Sequence, residues 1–223
     1  MTAAAGVLSV LLLLALQIPG GQAGAQRVAG LLHHSVELGY RDLSLSAVDV
    51  AWELLTPRKI KVVTYHKGLK TIYQSQFTNR VEISNNGTKL RIKDLRMEDT
   101  GVYLLTITSI DGETRDARYN VTVYEPIPLP NVTTVKENAT DRCNVTLHCS
   151  VSSNTSDQSY TWKYRQNGHY QQYNTGSTIQ ISLPLDHQDM EFLCIVQNPA
   201  DQKNVSITVE FCSSTEKEWN DKD

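Results

Sequence analysis

No cysteine stands before Cys143 in this chain of 223 residues, so whatever the first half folds into is held without a disulfide. Charge of one sign is also scarce. Lys and Arg number 21 against 24 Asp and Glu, a net of -3, and no dense Lys/Arg run tracks a phosphate backbone, so nucleic-acid binding has no support. Glycine-rich phosphate loops are missing. The six histidines lack metal-ligand spacing: His33 and His34 sit where the first strand should end, and His66, His148, His169 and His187 are scattered singly. His187 lies near Asp186 and Asp189, but no nucleophile-elbow glycines accompany it, which leaves a hydrolase reading without a centre. The expectation is therefore a protein-binding chain, with no enzymatic activity, cofactor or metal.

After the first 25 residues, no apolar run is long enough to span a membrane. Residues 1–25 differ from the rest: an apolar run from Val7 to Ile18, then Pro19 and Gly20, then the small-residue site Ala23-Gly24-Ala25. They read as a secretory signal peptide. The expected product is secreted or extracellular, and a cell-surface ectodomain cut before its anchor would look the same. Four cysteines in an exported chain imply disulfides, and all four (Cys143, Cys149, Cys194, Cys212) lie in the second half. Asn-x-Ser/Thr sequons at Asn86, Asn120, Asn131, Asn138, Asn144, Asn154 and Asn204 fit the same compartment and mark candidate glycosylation sites.

What is present from Gln26 onward is a series of short segments rich in β-branched and aromatic residues, separated by Gly, Asn, Asp or Pro. The fold class is all-β. Asp99-Thr100-Gly101-Val102-Tyr103 has the form of the corner that opens strand F of an immunoglobulin sandwich, where a Tyr hydroxyl turns back onto the corner and a Cys follows two residues later. Here that place is taken by Leu105. Trp52 suits strand C and Leu38 suits strand B, so an apolar pair stands where the bridge would be. Strands are expected at 35–40 (B), 48–54 (C), 59–65 (C′), 71–77 (C″), 80–83 (D), 88–92 (E), 103–109 (F) and 115–124 (G). This is the variable-type sandwich, over 26–125. Arg80 and Asp99 are placed to pair across its lower end.

Glu125-Pro126-Ile127-Pro128-Leu129-Pro130 reads as a stiff linker, 126–130, with the two sandwiches end to end and little contact between them. In the second half Cys149 precedes Trp162 at the B-to-C interval, and Cys194 follows Phe192, which occupies the corner position. Cys149 to Cys194 is then the B-to-F bridge, leaving Cys143 for Cys212. Of three possible connectivities this one fits the fold. Each bridge stabilises by roughly 4 kcal/mol on the chain-entropy model. With some 80 residues and no room for C′ or C″, 131–213 should be a constant-type sandwich with two disulfides, serving as a stalk, followed by a polar tail at 214–223.

The chain resembles the SLAM (signalling lymphocyte activation molecule) family. The likeness is carried by the disulfide-free variable-type half, the short proline linker and the four-cysteine second half. It is also carried by the stretches Arg142-Cys143-Asn144-Val145-Thr146-Leu147-His148-Cys149, Ser159-Tyr160-Thr161-Trp162, Cys194-Ile195-Val196-Gln197-Asn198-Pro199 and Asp94-Leu95-Arg96-Met97-Glu98-Asp99. Residues 69–77 are most similar to the family's lipid-anchored member and residues 105–112 to that member's natural-killer-cell receptor. The resemblance implies immune-cell adhesion or regulation through the face formed by strands G, F, C and C′ of the first half. The implied partner is a SLAM-family receptor, bound heterophilically or homophilically. A secreted decoy that occupies such a receptor, a virus-captured one included, is the alternative.

On that face, alternation with Trp52 and Tyr103 inward turns Glu53, Leu55, Leu104, Thr106 and Thr108 outward. Arg58, Lys59, Lys61, His66, Lys67 and Lys70 fall in a C′ region that carries no acid in sequence, and Tyr65 lies among them. Asp111 and Glu113 of the FG turn supply the opposite sign. The lysines could equally be a solvated rim that guards a sheet edge. No sequon falls between Trp52 and Tyr73, however, and a glycan-free basic surface suits an acidic partner face.

Overall fold

Every second residue of the long strands is withdrawn from water, and that alternation builds two cores. The computed structural model describes residues 24–40, 47–139, 141–152, 157–184 and 189–210. Most of the expected signal segment, the polar tail, Cys212 and Asn154 lie outside the described residues.

The first half contains β1 (Gln26–Leu31), β2 (Val36–Gly39), β3 (Ala47–Leu54), β4 (Ile60–His66), β5 (Leu69–Ile72), β6 (Val81–Ser84), β7 (Lys89–Ile92), β8 (Gly101–Ser109) and β9 (Thr114–Tyr124). They form a six-stranded sheet in the order β1-β9-β8-β3-β4-β5 and a three-stranded sheet β2-β7-β6, with β1 parallel to β9. This is the variable-type arrangement. Between the sheets lie Leu38, Trp52, Phe77, Leu90, Tyr103 and Leu105. The Trp52 indole N–H donates to the Gly87 carbonyl at 2.8 Å, so its polar edge is satisfied in the interior. Its ring sits 5.6 Å from that of Tyr119, whose hydroxyl burial pushes up to about 12. At the corner, the Tyr103 hydroxyl donates to the Asp99 carbonyl at 2.7 Å. The Arg80 guanidinium grips both oxygens of Asp99, at 2.8 and 2.9 Å, and also donates to the carbonyls of Gln76, Lys93 and Asp94. Asp99 in turn accepts the Arg96 amide. A buried ion pair with its hydrogen bonds filled is tolerable where a lone charge is not.

One strand differs from expectation. C″ is Leu69–Ile72 rather than 71–77. Lys67 and Gly68, both at positive φ (44° and 89°), turn the chain back at once. A second turn, closed by the Thr78 hydroxyl on the Ser75 carbonyl, then carries Phe77 into the core.

The second half contains β10 (Asn131–Asn138), β11 (Arg142–Ser150), β12 (Ser159–Gln166), β13 (His169–Thr175), β14 (Thr178–Pro184), β15 (Met190–Gln197) and β16 (Gln202–Val209). Its sheets are β10-β11-β14 and β13-β12-β15-β16. Cys149 and Cys194 are bridged beside Trp162, whose indole N–H donates to the Gly176 carbonyl at 3.1 Å. Cys143 is buried and disulfide-bonded, and its expected partner, Cys212, lies outside the described residues. Room does exist for a C′ strand: β13 pairs with β12 through a tight turn at Asn167 and Gly168, both at positive φ. Ile127, placed in a bare linker by its prolines, is instead buried in the second core. Its N–H donates to Asp201 at 2.9 Å, and Asn198 donates to the Glu125 carbonyl at 2.9 Å.

Candidate functional site: the outer face of the six-stranded sheet

Register decides which side chains this face presents. Trp52 pairs with Val63 but Glu53 pairs with Lys61, a β-bulge that places Val62 and Val63 both in the core. Beyond it the parity of β4 is shifted. Lys61 therefore points out below the bulge, and Thr64 and His66 point out above it. Tyr65 does not belong to the face. It pairs with the inward Val50, packs against the core and reaches Asn86 through its hydroxyl. Lys70 pairs with Tyr65 and shares that opposite side.

Across the sheet, three outward rows follow from the pairings. The upper row is Thr114, Thr108, Asp49, His66 and Leu69. The middle row is Asp116, Thr106, Ala51, Thr64 and Thr71, and the lower row is Arg118, Leu104, Glu53 and Lys61. Glu53, Leu104, Thr106 and Thr108 thus face outward as alternation has them, and Lys61 of the C′ group faces outward beside Glu53. Arg58 and Lys59 lie in the exposed loop at the lower end, and Lys67 is at the β4–β5 turn at the upper end. The basic cluster is divided in space.

Nor is it free of acid. Strand β3 lies beside β4 and supplies Glu53, 3.3 Å from Lys59, and Asp49, hydrogen-bonded to His66. Cross-strand neighbours, not sequence neighbours, set local charge on a sheet. Lys61 instead lies 5.8 Å over the Tyr73 ring. At the FG turn Asp111 accepts the Ser109 hydroxyl and the Glu113 amide. The Ser109 bond is the larger cause holding its carboxyl below the usual range. Glu113 meets Arg115 at 3.3 Å. Asp111 therefore closes its own turn as well as adding negative charge at the tip.

Residues that sequence reasoning left out are Asp49, Ala51, Thr64, Tyr73 and Asp116. Alternation along β3 points to the first two, but the partners become visible only with the register. The sequon residue Asn120 points outward too, below the lower row and opposite Val102, whereas Asn86 lies in the β6–β7 turn. In the second half Asn131 and Asn144 face out from the three-stranded sheet, and Asn204 faces out from the four-stranded sheet opposite Ile195. Among the described residues, no three His, Cys, Asp or Glu side chains are grouped to hold a metal ion, and no helix is long and apolar enough to cross a membrane.

Comparison with known proteins points one way. A family model described as natural killer cell receptor 2B4 matches residues 21–125. SLAM family member 5 of Mus musculus is 28% identical over 200 residues, covering 88% of this chain and 58% of that protein. T-lymphocyte surface antigen Ly-9 of Homo sapiens is 29% identical over 209 residues, covering 91% of this chain and 31% of that protein. The chain thus spans less than two thirds of the length of these relatives. Among solved structures, murine CEACAM1b matches with a TM-score of 0.59 at 20% identity, over 82% of this chain and 96% of the other, a likeness of fold.

Proposed function

The chain belongs to the SLAM family, and on that premise we propose that it is an extracellular ligand or adhesion protein of immune cells that binds a SLAM-family receptor through the outer face of its six-stranded sheet. It is not an enzyme; its relatives are surface antigens and receptors. The observation that carries the reading is the composition of the three outward rows. They hold exposed and half-exposed side chains of mixed sign around a small-residue centre, and among the described residues of the first half the one sequon residue facing the same way, Asn120, lies below them. A surface of this kind meets a partner with a dry centre and a polar rim. The sequons of the second half, spread over both of its sheets, fit a glycosylated stalk over 131–213.

The test is binding of the full chain, by surface plasmon resonance, to recombinant ectodomains of human 2B4, CD48, SLAM family members 5 and 7, and Ly-9. The substitution T106N completes an Asn-x-Thr sequon with Thr108 in the middle of the face. A glycan there should abolish binding to whichever receptor the unaltered chain captures. Undiminished binding by the glycosylated variant would remove this face from the account.

A further inference from the structure

Resting on that reading of the face, we propose that the centre of the contact is a shallow socket over Ala51, which takes a large apolar or aromatic side chain of the partner protein. The side chain of Ala51 ends at its methyl, while everything around it is longer. Along β3 it is flanked by Asp49 and Glu53, and across the sheet by Thr64 and Thr106. Each of these four is already engaged within the sheet. Asp49 is bonded to His66, and Glu53 lies 3.3 Å from Lys59. The Thr106 hydroxyl donates to Asp116 at 2.9 Å, and the Thr64 hydroxyl is within 3.5 Å of the Tyr73 hydroxyl.

Four internally paired couples therefore ring one methyl group. A charged or polar tip entering the ring would shed water and find few open partners, which is unfavourable; an apolar side chain loses nothing by entering. The pairing also holds the rim in place beforehand, so little side-chain freedom is lost on contact. Buried apolar anchors surrounded by a water-excluding ring are where binding energy concentrates. The charge layout orients the partner. Asp111 and Asp116 stand with Arg118 and the Glu113–Arg115 pair on the β8–β9 side, which is mixed, whereas Lys59, Lys61 and Lys67 lie on the β4 side, so the partner's anchor should be flanked by an acidic margin opposite β4. A second copy of this chain presents Ala51 and two threonines at its own centre and carries its outward leucines, Leu104 and Leu69, in the flanking rows, so the occupant is assigned to a different protein that bears its large side chain centrally.

The decisive variant is A51W, which fills the socket, with A51Q as a smaller filler should the tryptophan reduce the yield of folded protein. Against the receptor that the unaltered chain binds, A51W or A51Q should weaken affinity by at least about 30-fold, the fold-change of a hot-spot residue. K59E/K61E/K67E should slow association several-fold and leave dissociation nearly unchanged. If the fillers bind within threefold of the unaltered chain while glycosylated T106N does not bind, the face is right and the socket is wrong. Fillers and glycosylated T106N both binding normally would remove the face and the socket together, as would failure of the unaltered chain to bind any of the five ectodomains. A triple charge reversal that abolished binding while the fillers left it intact would replace the socket with a charge-driven contact.

Discussion

The two sandwiches solve one problem with opposite means. Each buries a tryptophan between its sheets and ties the indole N–H to the carbonyl of a glycine at positive φ, Gly87 for Trp52 and Gly176 for Trp162. Around that shared centre they diverge. The second half crosslinks its sheets through Cys149 and Cys194, and Phe192, two residues before the F-strand cysteine, has no hydroxyl to turn back. The first half has Leu38 and Leu105, both fully buried, where the bridge would be, and it carries the Tyr103 corner and the buried Arg80–Asp99 pair. A covalent tie between the sheets and a satisfied polar lock at their lower end are thus alternative ways of fixing the same fold. The half without the bridge is also the one whose outer face is proposed to bind.

Three changes would break or sharpen this contrast, in order of expected effect. D99A removes the carboxylate that anchors Arg80 and the Arg96 amide in one step, keeps the backbone carbonyl that accepts the Tyr103 hydroxyl, and leaves a guanidinium buried without its partner. It should destabilise the first sandwich by about 3–5 kcal/mol. In calorimetry of the full chain the first-half transition should fall sharply or vanish while the second stays in place; an unmoved first transition would mean the ion pair is not the lock. Replacing the bridge by C149A/C194A opens a loop of 45 residues and should cost the second sandwich about 4 kcal/mol on the chain-entropy model. Only its transition should move, and a fall in both would show that the halves unfold as one unit. Y103F deletes a buried hydroxyl and leaves the Asp99 carbonyl unpaired, for about 1–3 kcal/mol. A loss below about 0.5 kcal/mol in chemical denaturation would reduce the corner to packing alone.

Much of the architecture was legible because strands with one buried face announce themselves by alternation, and because Trp52, Tyr103, Arg80 and Asp99 are residue types that the sandwich uses at fixed places. The binding face was less legible. Inserting one residue, at Val62 and Val63, reverses which side of β4 each later side chain takes, and no local pattern announced it; Tyr65 was lost to the interior for that reason. The run of bases from Arg58 to Lys70 looked unopposed because Asp49 and Glu53 are distant in sequence and adjacent only after β3 and β4 pair. Ala51 has no chemistry of its own to draw notice. Its place matters through the four longer residues around it, which only the register brings together. Likewise β13 and the burial of Ile127 depend on a two-residue turn and a contact with Asp201, both below the resolution of composition.

The most direct test of the central claim sets one half against the other with the same chemistry. T106N completes an Asn-x-Thr sequon with Thr108 on the outer face of the first half, and S159N completes one with Thr161 on the outer face of the four-stranded sheet of the second half, leaving the existing sequons intact. With glycosylation of each confirmed by mass, binding to the receptor captured by the unaltered chain should be lost in T106N and unchanged in S159N. Binding retained in T106N and lost in S159N would contradict the account.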